Sequence, residues 1–263
     1  MNPRIEHLVS IAAPLWAGEA EVVRTYWTSP KRTPQTDLLW LSRQCFKEFW
    51  GSGVSKYDRG GVFLGVMKKL IEAAPTIDVS LDRSEVLDTL EGLKAEFSHY
   101  CAFADVYDAI RPSGTPRLNP YGLEPWPEED ALTALRYKHQ DEHGAIGMRA
   151  CKFTEGGYCT LFSEGMALAG KGGIDEKIAA ACALVYEDEF GHMLAGMTGI
   201  SDAGLNDQNW KLIESLVVAQ LQKRIYMRNG QFGFPLAESR IQSIFGGDIK
   251  PVVFDYAKAK LAA

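Results

Sequence analysis

The chain has 263 residues, 46% of them hydrophobic and 24% charged, with a formal net charge of −6. That balance is ordinary for a soluble globular protein long enough to bury a sizeable core, and the negative charge with no basic run argues against nucleic acid as a main partner. No apolar run approaches the roughly 20 residues of a membrane span.

Along the chain the pattern is helical, with no β-branched alternation bounded by hairpin turns. Residues 8–17 are apolar, but Glu6 and His7 precede them and Pro14 interrupts them, a poor secretory leader. A short helix is expected over 18–27, ended by Ser29-Pro30. Thr36-Asp37 can cap a helix to Trp50, broken by Gly51-Ser52-Gly53. A helix over 55–74 stops at Pro75, and Ser80 or Asp82 can cap the next, to about Ile110. Residues 111–128 hold five prolines and two glycines, a long connection between helix pairs. A long helical region over 129–169 follows, with a bend at Gly156-Gly157. After a glycine-rich turn at 170–173, Asp175 caps a helix over 176–197. An amphipathic helix over 207–228 carries Trp210, Ile213, Val217 and Leu221 on its apolar side, and 230–263 reads as a short helix and a tail. Five cysteines (Cys45, Cys101, Cys151, Cys159, Cys182) form no C-x-x-C pair, as expected of reduced core thiols in a cytoplasmic protein.

The motif that carries chemistry is written twice: Glu96-Phe97-Ser98-His99 and Glu189-Phe190-Gly191-His192. A spacing of three places carboxylate and imidazole on one helical face. Two such helices, each partnered by a helix bringing one more carboxylate, make a two-metal site in a four-helix bundle. Antiparallel helices mirror each other about their turn, which points to the missing partners. Glu155 lies 17 residues before Gly172 and Glu189 lies 17 after it. Reflection of the first motif about residues 76–78 falls near 56–59, where Asp58 stands. A carboxylate within an apolar stripe is costly unless paired or metal-bound, and Glu155 lies in such a stripe with Met148, Cys151, Cys159 and Phe162. The rivals are placed less well: Glu48 precedes a glycine break and lies too far back, and Glu164 lies too near the turn. His139 and His143 share a face but stand more than three turns before Glu155, as structural or surface residues.

The expected ligands are therefore Asp58, Glu96, His99, Glu155, Glu189 and His192. Four carboxylates balance two divalent ions, and oxygen-rich ligation with imidazole suits iron or manganese more than thiolate-seeking zinc. Over about residues 54–200 the chain resembles the ferritin-like di-iron carboxylate superfamily. An Asp as first ligand and the 34-residue gap from Glu155 to Glu189 look like ribonucleotide reductase small subunits and bacterial multicomponent monooxygenases. Phe103 stands where the radical tyrosine of the former usually lies, which points away from radical storage. The type most similar is a stand-alone di-iron oxygenase or oxidase.

This resemblance implies an all-α, ferritin-like four-helix bundle with additional N- and C-terminal helices. A single domain would span 1–263, with the metal-binding bundle at about 54–200 and accessory helices at 1–50 and 205–263. It implies two iron ions (alternatively manganese or a mixed pair), dioxygen, a small organic substrate and an electron-donor protein or reductant. No catalytic residue beyond the ligands is expected. Neither nucleic acid nor membrane is expected as a partner, whereas the exposed part of the last amphipathic helix could serve a homodimer. The competing expectations are a di-manganese catalase or peroxidase and a non-catalytic metal-binding helical bundle.

Overall fold

The computed structural model describes residues 2–51, 61–155, 159–201 and 204–253. Among them are nine α-helices and no strand, and no helix is long and apolar enough to cross a membrane.

Helix α1 (Pro3–Trp27) starts far earlier than residue 18. Asn2 caps it through the Arg4 N–H and Pro3 occupies the first position, where a missing N–H costs nothing. Pro14 removes one backbone bond, but Leu8, Val9, Ala12, Leu15 and Trp16 are all buried, and packing of this kind decides most helices. Helix α2 (Pro34–Trp50) is capped by a reciprocal Thr33/Thr36 box. The expected cap residue Asp37 is instead buried, accepting from Tyr26 at 2.8 Å, Trp40 at 2.9 Å and Arg32 at 3.0 Å. Helix α3 (Gly61–Ala73) is the described part of the segment expected over 55–74. Asp82 caps helix α4 (Arg83–Ile110) through the Ser84 N–H.

Helix α5 (Pro127–Glu155) departs most from expectation. Gly144 takes φ 53°, ψ −125° inside it, a conformation open to glycine, and the chain folds back there. Arg136 Nη2 consequently lies 3.3 Å from Thr154 Oγ1, 18 residues away; a straight helix would separate them by about 27 Å. Cys159 then adopts a left-handed conformation ahead of the short helix α6 (Thr160–Met166). The continuous face expected from Met148 to Phe162 is thereby broken.

Helices α7 (Gly173–Ser201), α8 (Asp207–Gln231) and α9 (Glu238–Phe245) complete the structure. On α8, Trp210, Ile213, Val217 and Leu221 are buried as expected. Gln220, Arg224, Arg228 and Gln231 are buried as well, because α1 and α5 pack against α8. Lys223 on the same helix stays exposed. Helices α1 and α8, expected as outer additions, supply a large part of the main core. At its centre Trp40 stacks on Phe232 at 5.4 Å and meets Trp27 edge-on at 5.2 Å. Phe103 is fully buried against Trp40 and Phe162, a packing residue.

Candidate metal centre

Helices α2, α4 and α7 converge where α4 packs against both of the others. Phe49 on α2 meets Tyr100 on α4 at 5.6 Å, and the preceding residue, Glu48, faces His99. One ligand atom each from Glu48, His99 and Glu189 lie within 4.8 Å of one another. Glu48 and His99 are buried, and Glu96, 18% exposed, lies on the same side. His99 Nδ1 is 3.8 Å from both Glu48 Oε2 and Glu96 Oε2, too far for a hydrogen bond. Nδ1 is buried without any hydrogen-bond partner.

The other ring nitrogen explains why. His99 Nε2 is 2.9 Å from Asp188 Oδ2. A carboxylate only accepts, so Nε2 carries a proton, and in the neutral ring Nδ1 then presents its lone pair towards the surrounding acids. A histidine whose far nitrogen donates to a carboxylate is the usual arrangement at metal sites, fixing both tautomer and ring orientation.

The electrostatics agree. Burial and then the neighbouring carboxylates of Glu189 and Glu96 push the Glu48 carboxyl well above its ordinary value, against the opposing pull of Gln44 and Lys47. Lys47 turns to Glu129 at 3.1 Å, away from the acids. Burial, with Glu48 or Glu189 adding to it, also pushes up the thiols of Cys45, Cys159 and Cys182, so these sulfurs stay protonated. What remains is a set of carboxylates around one imidazole lone pair, a donor set that a hard or borderline divalent cation fits.

Of the six ligands expected from sequence, Glu96, His99 and Glu189 are brought together. Glu155 and His192 lie on described helices. A Cβ on Gly196 would come within 2.9 Å of the Lys152 carbonyl group, and the Arg149 guanidinium donates to the Gly199 carbonyl. This antiparallel register sets the backbone of Glu155 level with Met193, next to His192 and one helical turn from the simple reflection. Asp58 lies outside the described residues.

Glu48 is the residue that sequence reasoning passed over. The reflection took the helix before the 76–78 turn as the partner of α4, whereas α2 also lies along α4 and brings its last turn to His99. The available signal was Glu48 itself, an acid among Gln44, Cys45 and Phe49 on the buried face of α2. Asp188, one residue before the second motif, was missed too. The other rival, Glu164, is held at the surface by Arg24. His139 is a buried structural residue bonded to Gln220 at 2.9 Å.

A cavity of about 610 Å³ opens beside the cluster, with Val66, Gly92 and Leu93 in its walls and Glu96, His99 and Asp188 lining its polar side. Its size suits a small organic molecule. Comparison with family models, curated proteins and solved structures returns no match to this chain.

Proposed function

We propose that this protein is a metal-dependent oxidoreductase whose centre, in its ferritin-like form a di-iron site, activates dioxygen to oxidise a small organic substrate. The observation that carries the metal site is the buried, unbonded Nδ1 of His99 facing the carboxylates of Glu48, Glu96 and Glu189. Leaving a ring nitrogen buried and unpaired costs about 1–3 kcal/mol, and so does crowding buried acids; one bound cation relieves both. Glu155 and His192, whose backbones lie next to each other about one turn beyond Glu189, are the candidates for holding a second ion.

Glu48, Glu96, His99 and Glu189 would hold the iron, and the chemistry it would supply there is electron donation to dioxygen. The chain's own residues do the rest. Glu48, Glu96, His99 and Glu189 bind and orient. Asp188 keeps the His99 proton on Nε2, away from the reacting side. Leu93 and Val66 line the cavity beside the cluster and keep water from part of it, while its open side admits substrate and an external reductant.

Metal content after anaerobic incubation with Fe(II) is the primary test. The expected result is about two ions per chain, with absorption that bleaches on reduction and returns with oxygen. A chain that retains no iron or manganese sinks the proposal. Peroxide disproportionation without added reductant would move it to manganese and catalase chemistry.

A further inference from the structure

Glu48 is held by more than its helix. Gln44 Nε2 donates to Glu48 Oε1 at 2.5 Å. Gln231 Nε2 donates to Gln44 Oε1 at 2.8 Å, and the Arg228 guanidinium donates to Gln231 Oε1. Arg228 also holds Glu19 Oε1, through Nε at 3.0 Å and Nη2 at 2.8 Å. Arg224 clamps the same carboxylate through Nε at 3.1 Å and Nη2 at 2.9 Å. Every member is buried: Glu19, Gln44, Glu48, Arg224, Arg228 and Gln231. The chain of bonds runs from α1 through α8 to α2 and ends on the metal-site carboxylate.

Its direction is forced from one end. A guanidinium only donates, so Gln231 must turn its oxygen to Arg228 and its NH₂ to Gln44. Gln44 must then turn its own NH₂ to Glu48. An amide chain without such an anchor could flip at each link; this one cannot flip without setting donor against donor. The Glu48 oxygen thus engaged is Oε1, which leaves Oε2 pointing to His99 Nδ1.

We infer that Gln44, Gln231 and Arg228 form a buried positioning relay that presents Glu48 through Oε2 alone, as a one-oxygen ligand, and so sets metal affinity from the α1–α8 side of the protein. The inference rests on the metal site proposed above. Residues standing behind a ligand in this way typically alter metal affinity about 10- to 100-fold when replaced.

The test is metal binding, with Co(II) as probe and its visible absorption as the report of ligand geometry. Gln44→Met removes the donor to Glu48 at nearly constant volume and is expected to weaken Co(II) binding about 10- to 100-fold and shift the visible band. Gln231→Met, one amide further away, is expected to weaken binding less while shifting the band in the same direction, because the Gln44 amide then loses the donor that holds its oxygen in place. Gln220→Met, equally buried on α8 but bonded to His139 and Thr154, is expected to leave affinity and spectrum unchanged. If Gln44→Met does not fold, Gln231→Met against Gln220→Met decides. Wild-type affinity and spectrum in the folded relay variants would overturn the relay while leaving the metal site standing. A wild-type chain that binds no Co(II) overturns the site, and the relay with it.

Discussion

Two buried carboxylates on neighbouring helices show how this protein uses charge. Glu19 on α1 and Glu48 on α2 are both 5% exposed or less, so burial pushes both upward. At Glu19 the Arg224 and Arg228 guanidinium groups overcome that push and hold the carboxyl down at about 2. At Glu48 the neighbours are Glu189 and Glu96, which push the same way as burial. The first region is closed: one anion, two cations and every oxygen bonded. The second gathers acids around an imidazole lone pair while the adjacent Lys47 is committed to Glu129. The sign of a buried carboxylate's shift is set by its partners. A region that gathers acids around an imidazole, next to one that neutralises its own anion, is a group that could hold a cation.

The contrast can be broken at several points. The largest effect is expected at Glu19: Glu19→Gln removes the anion shared by two buried guanidinium groups and should cost about 3–5 kcal/mol in urea denaturation. A loss below about 1 kcal/mol would refute the closed-cluster description.

Acidification should reach the same cluster. The Glu19 pKa is lowered from 4.5 to about 2, so its contribution is complete above pH 4.5 and is lost as pH falls towards 2. That lowering amounts to about 3 kcal/mol. It should appear as the difference between the pH–stability curves of the wild type and Glu19→Gln; parallel curves would contradict it.

At the other region stability should follow the ion. Fe(II) or Mn(II) at a hundredfold excess over its dissociation constant should stabilise the protein by about 2.7 kcal/mol. Glu189→Ala should abolish both that gain and metal loading while the helical circular dichroism persists. The smallest effect is the most diagnostic in sign. Without added metal, Glu48→Gln relieves acid crowding and should raise stability by about 1 kcal/mol, opposite to the same substitution at Glu19. Equal signs would dissolve the comparison.

Much of the helical content was legible locally. Asp82, the break at Gly51 and the apolar side of α8 mark their elements through caps, glycine and period, which depend on a few adjacent residues. The pair Glu96 and His99 shares a face because three residues make nearly one turn. Where the reading missed, the deciding contacts are distant. Pro14 lies within α1 because buried residues on both sides of it, from Leu8 to Trp16, hold the helix together. The 127–155 segment folds back at Gly144, where composition marked Gly156-Gly157. Gln220, Arg224, Arg228 and Gln231 look like the wet side of α8, yet partners on α1, α2 and α5 bury them.

The sequence by itself determined an all-helical chain and a repeated Glu-x-x-His, because capping, period and i,i+3 geometry are local properties of the backbone. Only the tertiary structure decided that α2 delivers Glu48 to His99, that Asp188 claims the other ring nitrogen, and that an arginine on α8 orients the whole line of amides behind the ligand. Those outcomes depend on which helices pack together and in what register, and that is settled by side-chain contacts between residues up to about 200 positions apart, such as Glu19 and Arg228.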